Sequence, residues 1–226
     1  MKSAWKCKSI FLPIVRNKMD ILLLKTERIS WDEISGFLGC LDAARRKSVL
    51  AKSCDSDKTN SLLSRLMMLS ELEKRTGIPR KRLSFALGTH GKPYLKNSEL
   101  FFSISHTNGA IIAAFSEGEE IGADVERKNR RVNERLYARV LSDEEQKSVC
   151  KTEDFLRLWV QKEAFLKRLG VGITRDLRAV SPENLPDTAA IDCGDYIIGA
   201  SGKGAKEAAV REIPLEELLS RFIKQV

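Results

Sequence analysis

Apolar positions in this chain follow two periods, and the switch between them predicts its elements. Ile10 to Val15 and Met19 to Leu24 are short strand-like runs separated by Arg16-Asn17-Lys18. Ser30-Trp31-Asp32-Glu33 reads as a helix start, with Ser30 as cap and Glu33 in the capping-box position. Helices are predicted over roughly 42–51 and 57–76. In the second, Leu62, Leu63, Leu66, Leu69 and Leu72 recur at helical spacing until Gly77 and Pro79 stop it. After the loop Gly88 to Pro93, Leu100 to Ser105, Ala110 to Phe115 and Ile121 to Glu126 read as a three-stranded meander, with turns at His106 to Gly109 and Glu117 to Glu120. The last third predicts helices near 133–140, 142–150 and 154–169 and strands near 196–200 and 208–213. A short amphipathic helix follows Pro214 over about 215–222.

With 226 residues the chain can bury one large core or two small lobes, and the pattern suggests a division at about 1–118 and 119–226. At 42% hydrophobic and 31% charged residues, it is neither a disordered nor a fibrous sequence. No apolar run approaches the ~18 residues of a spanning helix. The run Ile10 to Val15 holds Pro13, stops at Arg16 and lacks a cleavage site, so it reads as a strand and not as a leader. Five scattered cysteines without a C-x-x-C, and only His90 and His106 beside them, point away from a disulfide framework or zinc site. Free thiols in a reducing cytoplasm are expected. The net charge of +8 favours an anionic partner without selecting one.

The chemistry concentrates in two segments. Asp124 and Glu126 stand two apart on a predicted strand, so their carboxylates share one face while Ile121, Ala123 and Val125 take the other. Taken alone such a pair is a solvated edge more often than a cation site. On the helix over 154–169, Glu163 falls between Leu156 and Trp159, inside the apolar arc, where a charge has to be paired, coordinated or placed at a cleft. The plain alternative is an i,i+4 pair with Lys167. Lys92 in Gly91-Lys92-Pro93, Ser105-His106 at a strand end and Arg45-Arg46-Lys47 near a helix start are each able to meet a phosphate. Each also has a dull reading as a solvated or turn residue. No Gly-x-Ser-x-Gly elbow supports a hydrolase, and Gly199 to Gly204 lacks the spacing of a phosphate loop, reading instead as a hairpin turn.

Taken in order, Gly91-Lys92-Pro93, Phe102 to Thr107, Ile121 to Glu126 and Trp159 to Lys167 resemble the motifs of the 4′-phosphopantetheinyl transferases, in particular the long, monomeric surfactin-synthetase-activator type. The resemblance spans residues 91 to 167. It implies an α+β molecule of two similar α/β lobes about a pseudo-two-fold axis, with coenzyme A and Mg²⁺ in the cleft between them. The implied activity moves the phosphopantetheine arm to a serine of an acyl or peptidyl carrier protein and releases 3′,5′-ADP. It further implies Asp124, Glu126 and Glu163 as metal ligands, and Glu163 also as the base for the carrier serine. Lys167 would act on the pyrophosphate in binding and catalysis, and Arg45, Lys92, Ser105 and His106 would contact coenzyme A. Ser48 and Asn60 stand where further basic groups for the 3′-phosphate are expected, with Arg46, Lys47 or Arg65 as substitutes. The rival readings are a basic coenzyme A or nucleotide-binding module whose carboxylates merely pair with lysines, and a degenerate transferase that binds without turnover.

Overall fold

The computed structural model describes residues 19–172, 176–181 and 187–223; the predicted strand at 10–15 lies outside them. Strand β1 (Asp20–Lys25) has four consecutive buried residues, as a strand covered on both faces should. It pairs antiparallel with β5 (Ala110–Glu117), which pairs antiparallel with β4 (Leu100–Thr107). Between β1 and β4 the chain forms helices α1 (Trp31–Ile34), α2 (Ala43–Leu50) and α3 (Asp55–Thr76). Ser30 and Glu33 make the expected capping box, and Gly77 ends α3 in the left-handed conformation. The loop 88–92 is the tip of an unforeseen hairpin of β2 (Phe85–Leu87) and β3 (Pro93–Leu95), closed by Gly88 N–H to Lys92 O at 2.8 Å.

The expected meander does not form. Strand β6 (Gly122–Arg127) leaves the first sheet and pairs with β8 (Tyr196–Ser201), whose other side takes β7 (Thr188–Cys193), a strand that the hydropathy pattern did not predict. The physical reason is the second apolar layer. Ile121, Ala123 and Val125 turn inward with Ile198 and Ala200 and pack on Ile21, Leu23, Ile112 and Ala114 of the first sheet, so β6 is worth more facing that sheet than extending it. The opposite face of the first sheet, with Leu22, Leu24, Ile111, Ala113 and Phe115, packs on α3.

Helix α6 (Thr152–Leu169) covers the outer face of the second sheet, after α4 (Glu134–Val140) and α5 (Asp143–Ser148). It lies unusually close. A Cβ on Gly122 would sit 1.8 Å from the Ala164 carbonyl oxygen, and one on Gly199 2.0 Å from that of Val160. Gly199 therefore lies inside strand β8 beneath the helix, and the hairpin-turn reading of Gly199 to Gly204 is corrected at its first three residues, Gly199 to Ser201. At the chain's end β9 (Ala209–Glu212) runs parallel to β1 in the first sheet. Helix α7 (Leu215–Ile223) follows it and buries Leu218 and Phe222 in the α3 core. The result is a mixed α/β molecule of four layers: helices, two sheets face to face, and α6. Among the described residues no helix is long and apolar enough to cross a membrane.

Candidate functional site

The edge strands β4 and β6 of the two sheets run past each other, and a row of hydroxyls stitches the seam. On β4 the alternation Ser103, Ser105, Thr107 aims three hydroxyls at β6. Ser103 Oγ accepts from the Ala123 N–H at 3.0 Å, Ser105 Oγ donates to Asp124 Oδ1 at 2.6 Å, and Thr107 Oγ1 donates to Glu126 Oε2 at 3.1 Å. Only Ser105 was anticipated, although the S-x-S-x-T spacing carried the signal for all three.

On β6, Gly122, Asp124 and Glu126 share the face toward α6, so the close approach permitted by Gly122 sets Glu163 against both carboxylates. Asp124, Glu126 and Glu163 are all buried. Burial raises the Glu163 pKa to about 7, the negative charges of Asp124 and Glu126 add to the rise, and Lys167 opposes it. Its Oε1 is buried without a hydrogen-bond partner among the described residues. Burial likewise raises the Glu126 pKa, against the pull of Arg130 and hydrogen bonds from Thr107 and Trp159. The i,i+4 pair of Glu163 with Lys167 is not what forms. Lys167 Nζ reaches across the seam to Asp124 Oδ1 at 2.6 Å and Ser105 Oγ at 2.8 Å.

The position of α6 is fixed by its own Lys162, which is fully buried. Its ammonium donates to Val140 O at 2.8 Å, Leu177 O at 2.9 Å and Glu145 Oε2 at 2.6 Å. Glu145 also closes the capping box at Ser142, so one carboxylate ties α5 to α6. Helical spacing alone sets Lys162 toward one side of the apolar arc of α6. A lysine stem long enough to reach three acceptors is the feature that it could not see.

The predicted phosphate contacts divide into two groups. His106 opens on the cleft; partial burial and then the Lys167 charge lower its pKa below the ordinary value, so the imidazole is neutral at pH 7. Arg45 lies over the Phe85 ring at 4.9 Å and pairs with Asp42. With Lys52, Arg65 and His106 it borders a cavity of about 510 Å³. Ser48, unexpected at its position, accepts from Arg65 Nη2 at 3.2 Å, and the Arg65 Nε is buried without a partner. Asn60 is buried and accepts from Thr26 at 3.3 Å, away from that basic group. Lys92 is committed elsewhere: it pairs with Glu120 and donates to Ile121 O at 2.9 Å and Arg168 O at 3.3 Å. It nonetheless borders a cavity of about 260 Å³ together with Lys167, Gly91 and Ser103.

Among the described residues no three acidic, histidine or cysteine side chains already stand as a metal cage. The donor set is oxygen only, and one buried carboxylate carries an orphaned oxygen, which suits a hard divalent cation that takes one or two carboxylates and completes its shell with phosphates and water. The seam thus offers an acidic pole at Asp124, Glu126 and Glu163 and a basic rim at Arg45, Lys52, Arg65 and Lys167, the two charges needed to hold a phosphate diester beside a cation.

Comparison with known proteins agrees with this arrangement. Residues 28–117 match the family model described as 4′-phosphopantetheinyl transferase, N-terminal, and residues 120–193 match that of the 4′-phosphopantetheinyl transferase superfamily. The chain belongs to this superfamily. An L-aminoadipate-semialdehyde dehydrogenase-phosphopantetheinyl transferase of Candida glabrata is 33% identical over 149 residues, 59% of this chain and 56% of that protein. The 4′-phosphopantetheinyl transferase Sfp of Bacillus subtilis is 24% identical over 160 residues, 68% of this chain and 70% of that one. A protein named a putative 4′-phosphopantetheinyl transferase in Synechocystis is 33% identical over 141 residues, 57% of each chain. The chain thus spans little more than half the length of two of these three relatives.

Proposed function

We propose that this protein transfers the 4′-phosphopantetheine group of coenzyme A to a serine of an acyl or peptidyl carrier protein, giving the holo-carrier and 3′,5′-ADP, with Mg²⁺ at the seam. The observation that carries the reading is Glu163: a buried carboxylate with an unpartnered oxygen, beside two more carboxylates on the adjoining strand. What sets Glu163 apart from an ordinary buried acid is its company: its orphaned oxygen lies beside two further buried carboxylates whose charges oppose its ionisation, a cost that a divalent cation would relieve.

In this reading Asp124, Glu126 and Glu163 hold the metal, and 1–118 and 119–226 are the two lobes, with β9 and α7 returning to the first. When bound, Mg²⁺ would draw charge from the pyrophosphate oxygens. The carrier serine attacks the phosphorus that bears the pantetheine arm. A new P–O bond forms, the bond to the bridging oxygen breaks, and 3′,5′-ADP departs with the electron pair. Glu163 takes the serine proton, directly or through a water, because a hydroxyl is a weak nucleophile at neutral pH. Lys167, already fixed by Ser105, balances charge on the leaving pyrophosphate oxygen. Arg45 and Arg65, steadied by Phe85 and Ser48, receive the 3′-phosphate, with neutral His106 donating a hydrogen bond beside them. Lys92 orients the loop before it contacts coenzyme A. The protein works as a monomer in the cytoplasm.

Release of 3′,5′-ADP from coenzyme A, followed by chromatography, separates this reading from its rival. Release that needs both an apo carrier and Mg²⁺ and stops with EDTA is the expected result. Coenzyme A binding without release across several acyl and peptidyl carriers would overturn it in favour of a binder without turnover, the nucleotide-binding module or the degenerate transferase.

A further inference from the structure

The three carboxylates of the seam meet two basic groups of their own. Lys167 holds Asp124, and Arg130 forms an ion pair with Glu126. Arg130 comes from the turn just past β6, where its N–H donates to Arg127 O at 3.0 Å, so the chain folds the guanidinium back onto the carboxylate four residues earlier. Its carbon lies 5.6 Å from the centre of the Trp159 ring, on the same helix as Glu163. Thr107 occupies the second oxygen of Glu126, so both oxygens of this carboxylate are engaged, whereas Glu163 keeps one oxygen without a partner.

We propose that the Arg130 guanidinium is a built-in counter-cation that competes with the divalent ion for Glu126 and so sets the metal affinity of the site. The inference rests on the metal reading above. Three carboxylates and two cations leave one negative charge. Bound phosphates would bring negative charge along with a divalent ion, so what decides is geometry: both oxygens of Glu126 are engaged, and a resident donor has to leave one of them for this carboxylate to ligate. Lys167 is boxed between Ser105 and Asp124 and has a role toward the pyrophosphate. The two side chains are similarly exposed, and Arg130 is the one that holds Glu126 itself. It has room to move, because beside it lies a cavity of about 500 Å³ bordered by His106, Asn108, Arg127 and Arg131. Two further arginines there keep that cavity hydrated, so the guanidinium exchanges a carboxylate for water and not for an apolar wall.

The test is Mn²⁺ binding to the full chain with coenzyme A present, read from the free-ion signal in electron paramagnetic resonance. Arg130→Met keeps the apolar stem on Trp159 and removes the charge; it is expected to bind Mn²⁺ about two- to five-fold more tightly than the native chain, the scale of a partly exposed ion pair. Arg130→Lys should stay near the native value. A second readout is tryptophan emission on adding Mg²⁺: it should shift in the native chain as Arg130 leaves Trp159 and shift little in Arg130→Met. Unchanged or weaker Mn²⁺ binding by a folded Arg130→Met would overturn the proposal, making Arg130 a surface pair or a support for the ligands. If the native chain and Glu163→Gln bind Mn²⁺ equally poorly, the metal reading fails, and this proposal falls with it.

Discussion

In the proposed reaction the chemistry turns on Glu163, and its environment fixes what its removal should do. Because its folded-state pKa is raised from 4.5 to about 7, the folded metal-free protein holds a proton that the unfolded chain gives up earlier. Stability of the metal-free protein should therefore fall as pH rises through that window and stay lower above it. Glu163→Gln removes this penalty, so thermal melts in EDTA should show the variant a few degrees more stable than the native chain at pH 8, with the gap closing toward pH 5. The same variant should lose transfer by ~10³-fold or more, since it removes a base and a ligand together. A uniform loss of stability at all pH values would return Glu163 to a structural role. Asp124→Ala should release Lys167 and Ser105 and shift the Mg²⁺ concentration needed for half-maximal transfer strongly upward, measured by metal titration of the initial rate. Of these residues, sequence spacing made the three carboxylates legible, because a two-residue strand period and a charge inside an apolar arc are local signals. The Asp124–Lys167 link was not legible, since it joins residues 43 apart across two elements.

At the scale of elements, the site exists because α6 rests directly on a glycine floor. Gly122→Ala would place a methyl carbon against the Ala164 backbone, which cannot retreat as a flexible side chain can. The helix would have to lift, carrying Glu163 and Lys167 from Asp124. Transfer is expected to fall by ~10²-fold or more, while coenzyme A contacts on the other side of the cleft survive, as calorimetry with coenzyme A can show. Lys162→Met should lower stability by ~3 kcal/mol in urea unfolding, because Glu145 and two carbonyls lose their buried donor. The cap at Ser30 and the stop at Gly77 were readable because their chemistry acts within a few residues, and Asp42 and Ser142, which stood only as helix bounds, prove to cap α2 and α5. Strand β7 and the departure of β6 from the meander were not. Thr188 to Cys193 carries only a weak alternation, and the choice of β8 as partner for β6 depends on the face that Ile121, Ala123 and Val125 bury against another sheet.

For the whole molecule, Lys92 links the β2–β3 loop of the first half to Glu120, Ile121 and the end of α6. Lys92→Ala should thus lower the melting temperature as well as raise KM for coenzyme A, a pairing that a purely peripheral phosphate contact would not give. If the proposed carrier is acidic, the +8 net charge would steer it, so KM for such a carrier should rise steeply with salt while kcat holds. Steering, metal and base converge on one claim: that this seam moves a phosphopantetheine arm. The most direct test is the intact mass of an apo carrier incubated with the protein, coenzyme A and Mg²⁺. A gain of one phosphopantetheine, absent with EDTA and with Glu163→Gln, is the predicted result. An unmodified mass across acyl and peptidyl carriers, or a gain that persists in Glu163→Gln, would contradict it.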